Sequence, residues 1–381
     1  MSGRAARSSR YTARYWPTAE QRWLLRASLL SGPAALDAWA SWKDGVVVDD
    51  LDMGQQRLLP LLAHNLRTHG IADTELGRFK GVLRYVWAEN QRRQMQMVPL
   101  LRALHEAHVP VMLLKGMALA HHYYDNVGLR HMADIDILVR RADAPRVIDL
   151  LAGQGWQSER ADRDFDVRHS LALTNAQGLE IDLHWYAIRE FSGTGSDDGL
   201  WQRSEVVTQA GVPVRILSPA DLMLHVMVHG LRWNAVPTLR WVADTMTILA
   251  HPHRSVDWAV VTDEARRLEL VLPVRHALHY LVEHLEAAVP ADVLRTLDGY
   301  RPTRFERIEQ RMRDLTSPSV GGFPLELCLY RRLHRDRGPL AVVSGLPRYL
   351  QQRYDLPSLR ALPGALWMRA VRRLRTAPQR A

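Results

Sequence analysis

The chain has 381 residues, of which 47% are hydrophobic and 24% charged, as in an ordinary globular protein large enough for two or three domains. It contains no apolar run of the roughly 18 residues that a membrane-spanning helix needs. A single cysteine, Cys328, excludes an internal disulfide and a cysteine-rich zinc site. The formal net charge of +9 comes from two arginine-rich tails, 1–15 and 368–381, so we expect a nearly neutral folded middle and no strong nucleic-acid groove.

The N-terminal arginines are not followed by an apolar segment, so the sequence does not predict a secretory signal. A single thiol is compatible with a reducing compartment. We therefore expect a cytoplasmic protein whose first residues form a disordered basic tail.

Helical periodicity dominates the chain from residue 17 to about residue 107. Thr18 is a suitable N-cap for the first helix, and the pair Gly32-Pro33 ends it. Apolar residues at helical spacing predict three further helices, around 36–42, around 58–66 and from about 73 to 105.

The pattern changes at residue 108 to short apolar or alternating runs, which predict strands. The predicted strands are 109–114, 134–139, 171–174, 180–184 and 212–217, with helices at 118–124 and 144–152 between them. Helical signals return at Ser218, which can cap a helix that has Pro219 in its first turn. The later predicted helices are 240–249, 256–268, 273–287 and 303–313.

These elements predict an α+β fold in which helical regions flank a small mixed β-sheet core. The predicted regions are a disordered basic tail (1–16), a helical N-terminal region (17–107), the mixed core (108–217), a helical C-terminal region (218–335) and a loosely structured basic tail (336–381). The residues best suited to chemistry fall in the core.

Asp134 and Asp136 form the centre of the predicted site. Side chains two residues apart on a strand lie on the same face, with Cα atoms about 7 Å apart. Two such carboxylates repel each other unless a cation lies between them, and Mg²⁺ or Mn²⁺ prefers oxygen ligands. If the strand that carries Asp182 lies beside this strand, Asp182 completes a three-carboxylate metal site.

Lys115 and Gly116 lie where an apolar strand gives way to a helix. A helix start offers free backbone N–H groups and a positive dipole end, and glycine lets a phosphate approach the backbone closely. Arg130 lies four residues before Asp134 and can pair with triphosphate oxygens. This combination predicts a phosphate site beside the metal site.

Several nearby side chains have more than one interpretation. His184 shares a strand face with the third aspartate and is either a base or metal neighbour or a hydrogen-bonding group of the core. His225 and His229 have metal-pair spacing, but the glutamate that a zinc-protease helix needs is missing, which favours packing. Arg240 and Asp244 have the spacing of a helical ion pair, although Arg240 could instead be an interior cation near a phosphate.

Taken together, these segments resemble the uncharacterised bacterial nucleotidyltransferase-like family of the DNA polymerase β superfamily. The resemblance covers about 105–250 and rests on Leu113–Gly116, Tyr124, Gly128–Arg130, Asp134–Val139, Ile181–Trp185, Ser218–Asp221, His225, His229 and Leu239–Asp244. It implies a polymerase β-like nucleotidyltransferase core at 108–217. The implied reaction moves an NMP from an NTP, with ATP as the expected donor, to a hydroxyl-bearing small molecule, peptide or protein, and releases pyrophosphate.

The resemblance also implies roles for individual residues. Asp134 and Asp136 would bind both Mg²⁺ or Mn²⁺ ions, while Asp182 would bind one ion and help to activate the acceptor hydroxyl. The residues implied to hold the triphosphate are Lys115, Gly116 and Arg130, and we add His184 to the predicted nucleotide-binding residues.

Met117 departs from the pattern of the wider superfamily, which usually has a Gly-Ser pair at this helix start. The gap from Gly116 to Asp134 is also longer than in compact members. These departures keep an alternative open: a catalytically weak or inactive nucleotide-binding accessory protein of a biosynthetic pathway. A third interpretation, an RNA end-modifying enzyme, is disfavoured by the near-neutral middle of the chain.

Overall fold

The computed structural model describes residues 11, 13, 15–158, 165–193, 195–232, 238–315, 318–334 and 338–376. Within them the chain has the α+β fold that its sequence predicts, with one mixed six-stranded sheet between helical regions. Among the described helices, none combines the length and the apolar character that crossing a membrane demands.

The part of the chain ahead of the sheet is helical. Its helices are α1 (Ala19–Leu29), α2 (Gly32–Gly45), α3 (Met53–Gln56), α4 (Leu59–Thr68) and α5 (Leu76–Glu106). α1 begins with a capping box, in which the Thr18 hydroxyl accepts from the Gln21 N–H and the Gln21 side chain accepts from the Thr18 N–H. The N-cap predicted at Thr18 is therefore formed.

The sheet has the strand order β3-β4-β2-β1-β6-β5. Its strands are β1 (Met112–Leu113), β2 (Ile135–Leu138), β3 (Ser170–Thr174), β4 (Glu180–His184), β5 (Glu205–Gln209) and β6 (Val212–Ile216). β2 pairs with β4 and β1 with β6 in parallel, whereas the β1–β2, β3–β4 and β5–β6 pairs are antiparallel. The parallel β2–β4 pair, in which neither strand lies at an edge of the sheet, positions the site.

Three helices lie between the strands: α6 (Lys115–His122), α7 (Ala144–Gly153) and α8 (Asp198–Arg203). The sequence patterns do not predict β5, which joins β6 through a two-residue turn. Ala210 and Gly211 in this turn have φ values of 49° and 82°. Hairpin turns of this kind favour glycine or asparagine at both positions, so the alanine hides the signal.

The C-terminal part of the chain is again helical. Its helices are α9 (Pro219–Gly230), α10 (Arg240–Ala250), α11 (Trp258–Arg267), α12 (Val271–Leu285), α13 (Ala291–Gly299), α14 (Arg304–Asp314), α15 (Pro318–Leu333), α16 (Pro339–Arg353) and α17 (Leu362–Thr376). As predicted, Ser218 caps α9, because its hydroxyl accepts from the Asp221 N–H.

The basic C-terminal segment differs from the prediction of a loosely structured tail at 336–381. Its described part contains α16 and α17. Tyr349, Leu350 and Leu362 are buried in a small hydrophobic cluster with Tyr330 of α15. Burial of these apolar side chains stabilises helices that the arginines and prolines obscure in the sequence. Residues 335–337 and 377–381 lie outside the described residues.

The N-terminal basic tail predicted at 1–16 lies mostly outside the described residues. Tyr15 and Trp16 are described, and both are buried. The Trp16 ring stacks on Tyr280 of α12 with ring centroids 5.0 Å apart. This contact anchors the chain before α1, because aromatic pairs bury a large apolar area.

One continuous hydrophobic core connects the predicted regions. It includes Leu24 of α1, Ile137 of β2 and Leu278 of α12, all of them fully buried. Helices on both sides of the sheet in the sequence therefore share this core with it. The cavity described below lies where the sheet meets α9 and α10.

Candidate active site

Asp136 and Asp182 lie side by side, because β2 and β4 run parallel with these two residues in register. His184 is two residues further along β4 and therefore shares the face of Asp182. Its Nε2 atom lies 3.1 Å from Asp136 Oδ1 and 3.1 Å from Asp182 Oδ2. Asp136 and His184 are each 2% exposed, so most of this cluster is shielded from water.

These three residues form a candidate metal site among the described residues, with one ligand atom from each within 4.8 Å of the others. Carboxylate oxygens suit Mg²⁺ and Mn²⁺, and the imidazole is a better ligand for transition-metal ions. The chemistry of this donor set therefore fits a divalent cation. Asp134 is not in this cluster: it precedes β2, is exposed and faces the neighbouring cavity. Its role as a metal ligand stays a prediction.

Positive side chains balance the carboxylates. Lys115 Nζ lies 2.7 Å from Asp136 Oδ1. Burial by itself raises the pKa of Asp136, but the charges of Lys115 and His184 outweigh burial and hold that pKa well below its ordinary value. Burial lowers the pKa of His184, yet Asp182 and Asp136 together raise it to about 9. A cation that binds both carboxylates must therefore compete with the lysine and the imidazolium.

Lys115 is the first residue of α6 and has φ = 30°, an uncommon backbone value for a residue other than glycine. Leu114 precedes it and provides no side-chain cap, so no N-cap side chain occupies the first N–H groups of α6. A Cβ atom added to Gly116 would lie 3.3 Å from Arg130 Nη1. Glycine thus keeps the space beside this helix start open, as a phosphate site requires.

Met117, which follows Gly116 in the place of the serine expected from the resemblance, points into the core. It is fully buried, and its Sδ atom lies 3.8 Å from the Nε2 donor of Gln209. The methionine side chain is not part of the cavity wall beside Gly116. It therefore leaves the cavity open but supplies no hydroxyl to a phosphate.

Arg130 is bound in an internal ion pair. Its Nε and Nη2 atoms donate to Asp244 Oδ1 and Oδ2, each at 2.8 Å, and both residues are buried. The Tyr124 hydroxyl donates to the same carboxylate at 2.9 Å. Arg130 Nη1, which faces Gly116, has no hydrogen-bond partner in the part of the chain that the structure describes. A triphosphate contact of Arg130 therefore depends on Nη1.

A cavity lies between the start of α6 and the helices α9 and α10. Its walls include Lys115, Gly116, Arg130, Asp134 and Asp136 from the core, and Val226, His229, Thr238, Arg240, Trp241 and Asp244 from the C-terminal helices and the segment between them. Asp136 belongs to both the cavity and the candidate metal site, whereas Asp182 and His184 are not among the cavity walls. A molecule in this cavity would therefore reach the metal site through Asp136.

The helical ion pair considered for Arg240 and Asp244 is not formed, since Asp244 pairs with Arg130 instead. Arg240 Nη1 donates to the His131 carbonyl oxygen at 2.8 Å. The reason is geometric: a bidentate contact with Arg130 satisfies both oxygens of the carboxylate. Arg240 is left facing the cavity.

His225 and His229 lie beside Lys115 rather than in the candidate metal site found among the described residues. His229 Nε2 is 3.4 Å from Lys115 Nζ. His225 is completely buried, and the described residues offer neither of its ring nitrogens a hydrogen-bond partner. Burial and the charge of Lys115 hold the pKa of both histidines well below its ordinary value, so they are neutral at pH 7.

Thr238 and Trp241 line the cavity, although no sequence pattern predicted a role for either residue in the site. Trp241 packs against Gly230, where an added Cβ atom would lie 2.2 Å from the Trp241 Cβ atom. A glycine at the end of one helix and a tryptophan at the start of the next are the sequence signal for this close crossing.

Paired carboxylates on a sheet, next to a helix start without a side-chain cap and a cavity that contains Lys115 and Arg240, are typical of sites that handle phosphate groups. Residues 53–286 match the protein family described as uncharacterised nucleotidyltransferase. Because the match spans more than half of the chain, the chain belongs to this nucleotidyltransferase family. The matched range contains every residue predicted for the site.

Two solved structures are similar to the chain at low sequence identity. The antibiotic-resistance factor ANT(2'')-Ia is 12% identical, and the similarity covers 51% of this chain and 99% of that one with a TM-score of 0.33. An antigenic nucleotidyltransferase-like protein from Paracoccidioides brasiliensis is 12% identical, with 55% and 94% covered and a TM-score of 0.34. No curated relative matches the chain by sequence. The family assignment therefore rests on the family match.

Proposed function

We propose that the protein is a divalent-metal-dependent nucleotidyltransferase that moves an NMP from an NTP to a hydroxyl of a small molecule, peptide or protein. ATP is the first donor to test. The observation that carries this proposal is the register of Asp136 with Asp182 on adjacent parallel strands, beside the cavity of a nucleotidyltransferase family member.

Asp136 and Asp182, with Asp134 at the cavity wall, would hold Mg²⁺ or Mn²⁺. When bound, the ion supplies positive charge where negative charge develops on the phosphate oxygens. Lys115, the start of α6 and Arg130 Nη1 orient the triphosphate.

Asp182 is suited to accept the proton of the acceptor hydroxyl. Burial raises its pKa, but His184 outweighs burial and lowers it, so Asp182 is a carboxylate at neutral pH. The acceptor oxygen bonds to the α-phosphorus, the bond from the α-phosphorus to the bridging oxygen breaks, and pyrophosphate leaves. The hydroxyl proton passes to Asp182 and then to water. His184 holds Asp136 and Asp182 in position through its contacts at 3.1 Å.

A nucleotide-binding accessory protein without turnover is the second candidate function. Met117 favours it, because its buried side chain offers no hydroxyl for the phosphate. In this function the same cavity would bind NTP, and no NMP would be transferred.

Transfer of label from the α-phosphate distinguishes the two functions. The protein is incubated in cell extract with each of four α-labelled NTPs and Mg²⁺ or Mn²⁺. Asp134→Asn and Asp182→Asn are compared with Asp292→Asn, which removes an exposed carboxylate from α13. Labelled product from wild type and Asp292→Asn alone supports nucleotidyl transfer. Metal-dependent NTP binding without labelled product supports the accessory function and contradicts the proposed one.

A further inference from the structure

Arg240 is a half-buried cation without a carboxylate partner among the described residues. It begins α10 and lines the cavity together with Lys115 and Asp134. Its one hydrogen bond within the described part of the chain runs from Nη1 to the His131 carbonyl oxygen. Asp244, the acid one helical turn further on, is occupied by Arg130. The Nε and Nη2 donors of Arg240 are therefore available.

The surroundings of Arg240 are positively charged. Burial, followed by the charges of Arg130 and Arg57, lowers the pKa of Arg240 to about 10, against the weaker influence of Asp244 and Asp134. Arg57 Nε is itself buried and has no hydrogen-bond partner among the described residues. Arg240 and Arg57 thus both have N–H donors without a hydrogen-bond partner among the described residues.

A half-buried cation without a counter-ion has lost part of its hydration, and no carboxylate offsets that loss. Asp134 is exposed and forms no ion pair with Arg240 in the described structure, so it does not neutralise the cluster. A phosphate group entering the cavity would supply the missing negative charge. The planar guanidinium matches phosphate oxygens with two parallel donors, and the bond to His131 fixes its plane.

We propose that Arg240, supported by the charge of Arg57, binds a phosphate group of the ligand at the α10 side of the cavity. This inference rests on the proposed function and names a contact that Arg130 alone cannot provide. The phosphate belongs either to the triphosphate of the donor or to a phosphorylated acceptor, and the chemistry of recognition is the same for both.

Calorimetric titration of the full chain with inorganic tripolyphosphate, and separately with Mg²⁺-ATP, tests the contact without requiring turnover. Arg240→Gln removes the charge, and Arg240→Lys keeps it without the planar fork. Arg78→Gln is the matched control, since it removes one positive charge from an exposed pair with Asp49. Thermal melts verify that each variant is folded. Arg57→Gln provides a second test that leaves Arg240 in place.

If the phosphate belongs to the donor, Arg240→Gln is expected to weaken the binding of tripolyphosphate and of Mg²⁺-ATP at least tenfold. Arg240→Lys should weaken it less, and Arg78→Gln should leave it unchanged. If the phosphate belongs to the acceptor, Arg240→Gln is expected to keep the Mg²⁺-ATP affinity of wild type. The same variant should lose the binding of inorganic phosphate that wild type saturated with ATP shows. Unchanged binding of all three probes by Arg240→Gln and Arg57→Gln overturns the inference. Wild type that binds the probes but transfers no label contradicts the proposed function alone, and wild type that binds no probe contradicts both.

Discussion

Arg130 and Asp244 form a buried, bidentate ion pair that joins the segment before β2 to α10. The pair fixes the C-terminal helices against the strand that carries Asp136. It also explains why Arg130 offers one nitrogen to the cavity instead of three. Stability and ligand geometry are therefore coupled at this contact.

Asp244→Asn is expected to lower the free energy of unfolding by about 3–5 kcal/mol, because it leaves the buried charge of Arg130 uncompensated. Asp49→Asn, which breaks the exposed pair with Arg78, should cost less than about 1 kcal/mol. Urea unfolding followed by circular dichroism measures both changes. Equal effects of the two substitutions would show that the Arg130–Asp244 pair does not stabilise the fold.

Gly116→Ala is expected to weaken NTP binding roughly tenfold, a change of about 1.4 kcal/mol in binding free energy. The added methyl group would lie 3.3 Å from Arg130 Nη1 and narrow the space beside the start of α6. Gly77→Ala is the control, because it adds a methyl group to an exposed position of α5 with no atom within 4 Å. The control should keep NTP affinity and gain up to about 1 kcal/mol of stability. An unchanged dissociation constant of NTP for Gly116→Ala would show that the helix start is not part of the NTP-binding site.

Gly230→Ala should destabilise the contact between α9 and α10. Its methyl group would lie 2.2 Å from the Trp241 Cβ atom, so one of the two helices must shift. Overpacking of this kind costs about 1–3 kcal/mol or more, and the shift should also weaken NTP binding because Trp241 lines the cavity. Gly299→Ala, with no atom within 4 Å, is the control. Thermal denaturation of both variants checks the prediction, and an equal melting temperature for both contradicts it.

Asp197 is expected to make stability fall as pH rises. Burial raises its pKa from 3.8 to about 7, in spite of the hydrogen bond that it accepts from the Ala187 N–H. The folded state therefore binds more protons than the unfolded state between pH 4 and pH 7, and the free energy of unfolding decreases across that interval. Asp197→Asn removes this dependence.

The difference in stability between Asp197→Asn and wild type should accordingly rise by about 3 kcal/mol from pH 5 to pH 8. Urea unfolding at the two pH values measures it. Asp197 Oδ1 is buried and has no hydrogen-bond partner among the described residues, so the amide of the variant has a constant energetic cost there. Comparing the two pH values cancels this cost. The same difference at both pH values would mean that Asp197 is ionised in the folded protein throughout.

Local patterns in the sequence predict much of the site. The alternation around Asp136 and Asp182 gives both strands, and the strand-to-helix transition gives the position of Lys115. The prediction that the two aspartates lie together depended on whether their strands are neighbours. The sequence could not decide this, because the parallel pairing of β2 with β4 is a non-local contact. Strand pairing depends on the whole sheet, whereas strand periodicity depends on a few residues.

Long-range partners could not be predicted in the same way. Asp244 has Arg240 at helical spacing, yet its partner is Arg130, 114 residues away in sequence. The i, i+4 rule compares residues on one helix and contains no information about a competing bidentate partner. The position of His184 between two carboxylates could not be predicted for the same reason, since it requires β2 and β4 to be adjacent.

Binding of Mn²⁺ to Asp136 and Asp182 is the most direct test of the proposed activity. Electron paramagnetic resonance follows a titration with Mn²⁺ in the presence of a non-hydrolysable ATP analogue. Wild type and Asp292→Asn should bind the ion, and Asp182→Asn should bind it at least about tenfold more weakly, because one carboxylate ligand is lost. Equal Mn²⁺ affinity in all three proteins would contradict a metal-dependent nucleotidyltransferase site at these residues.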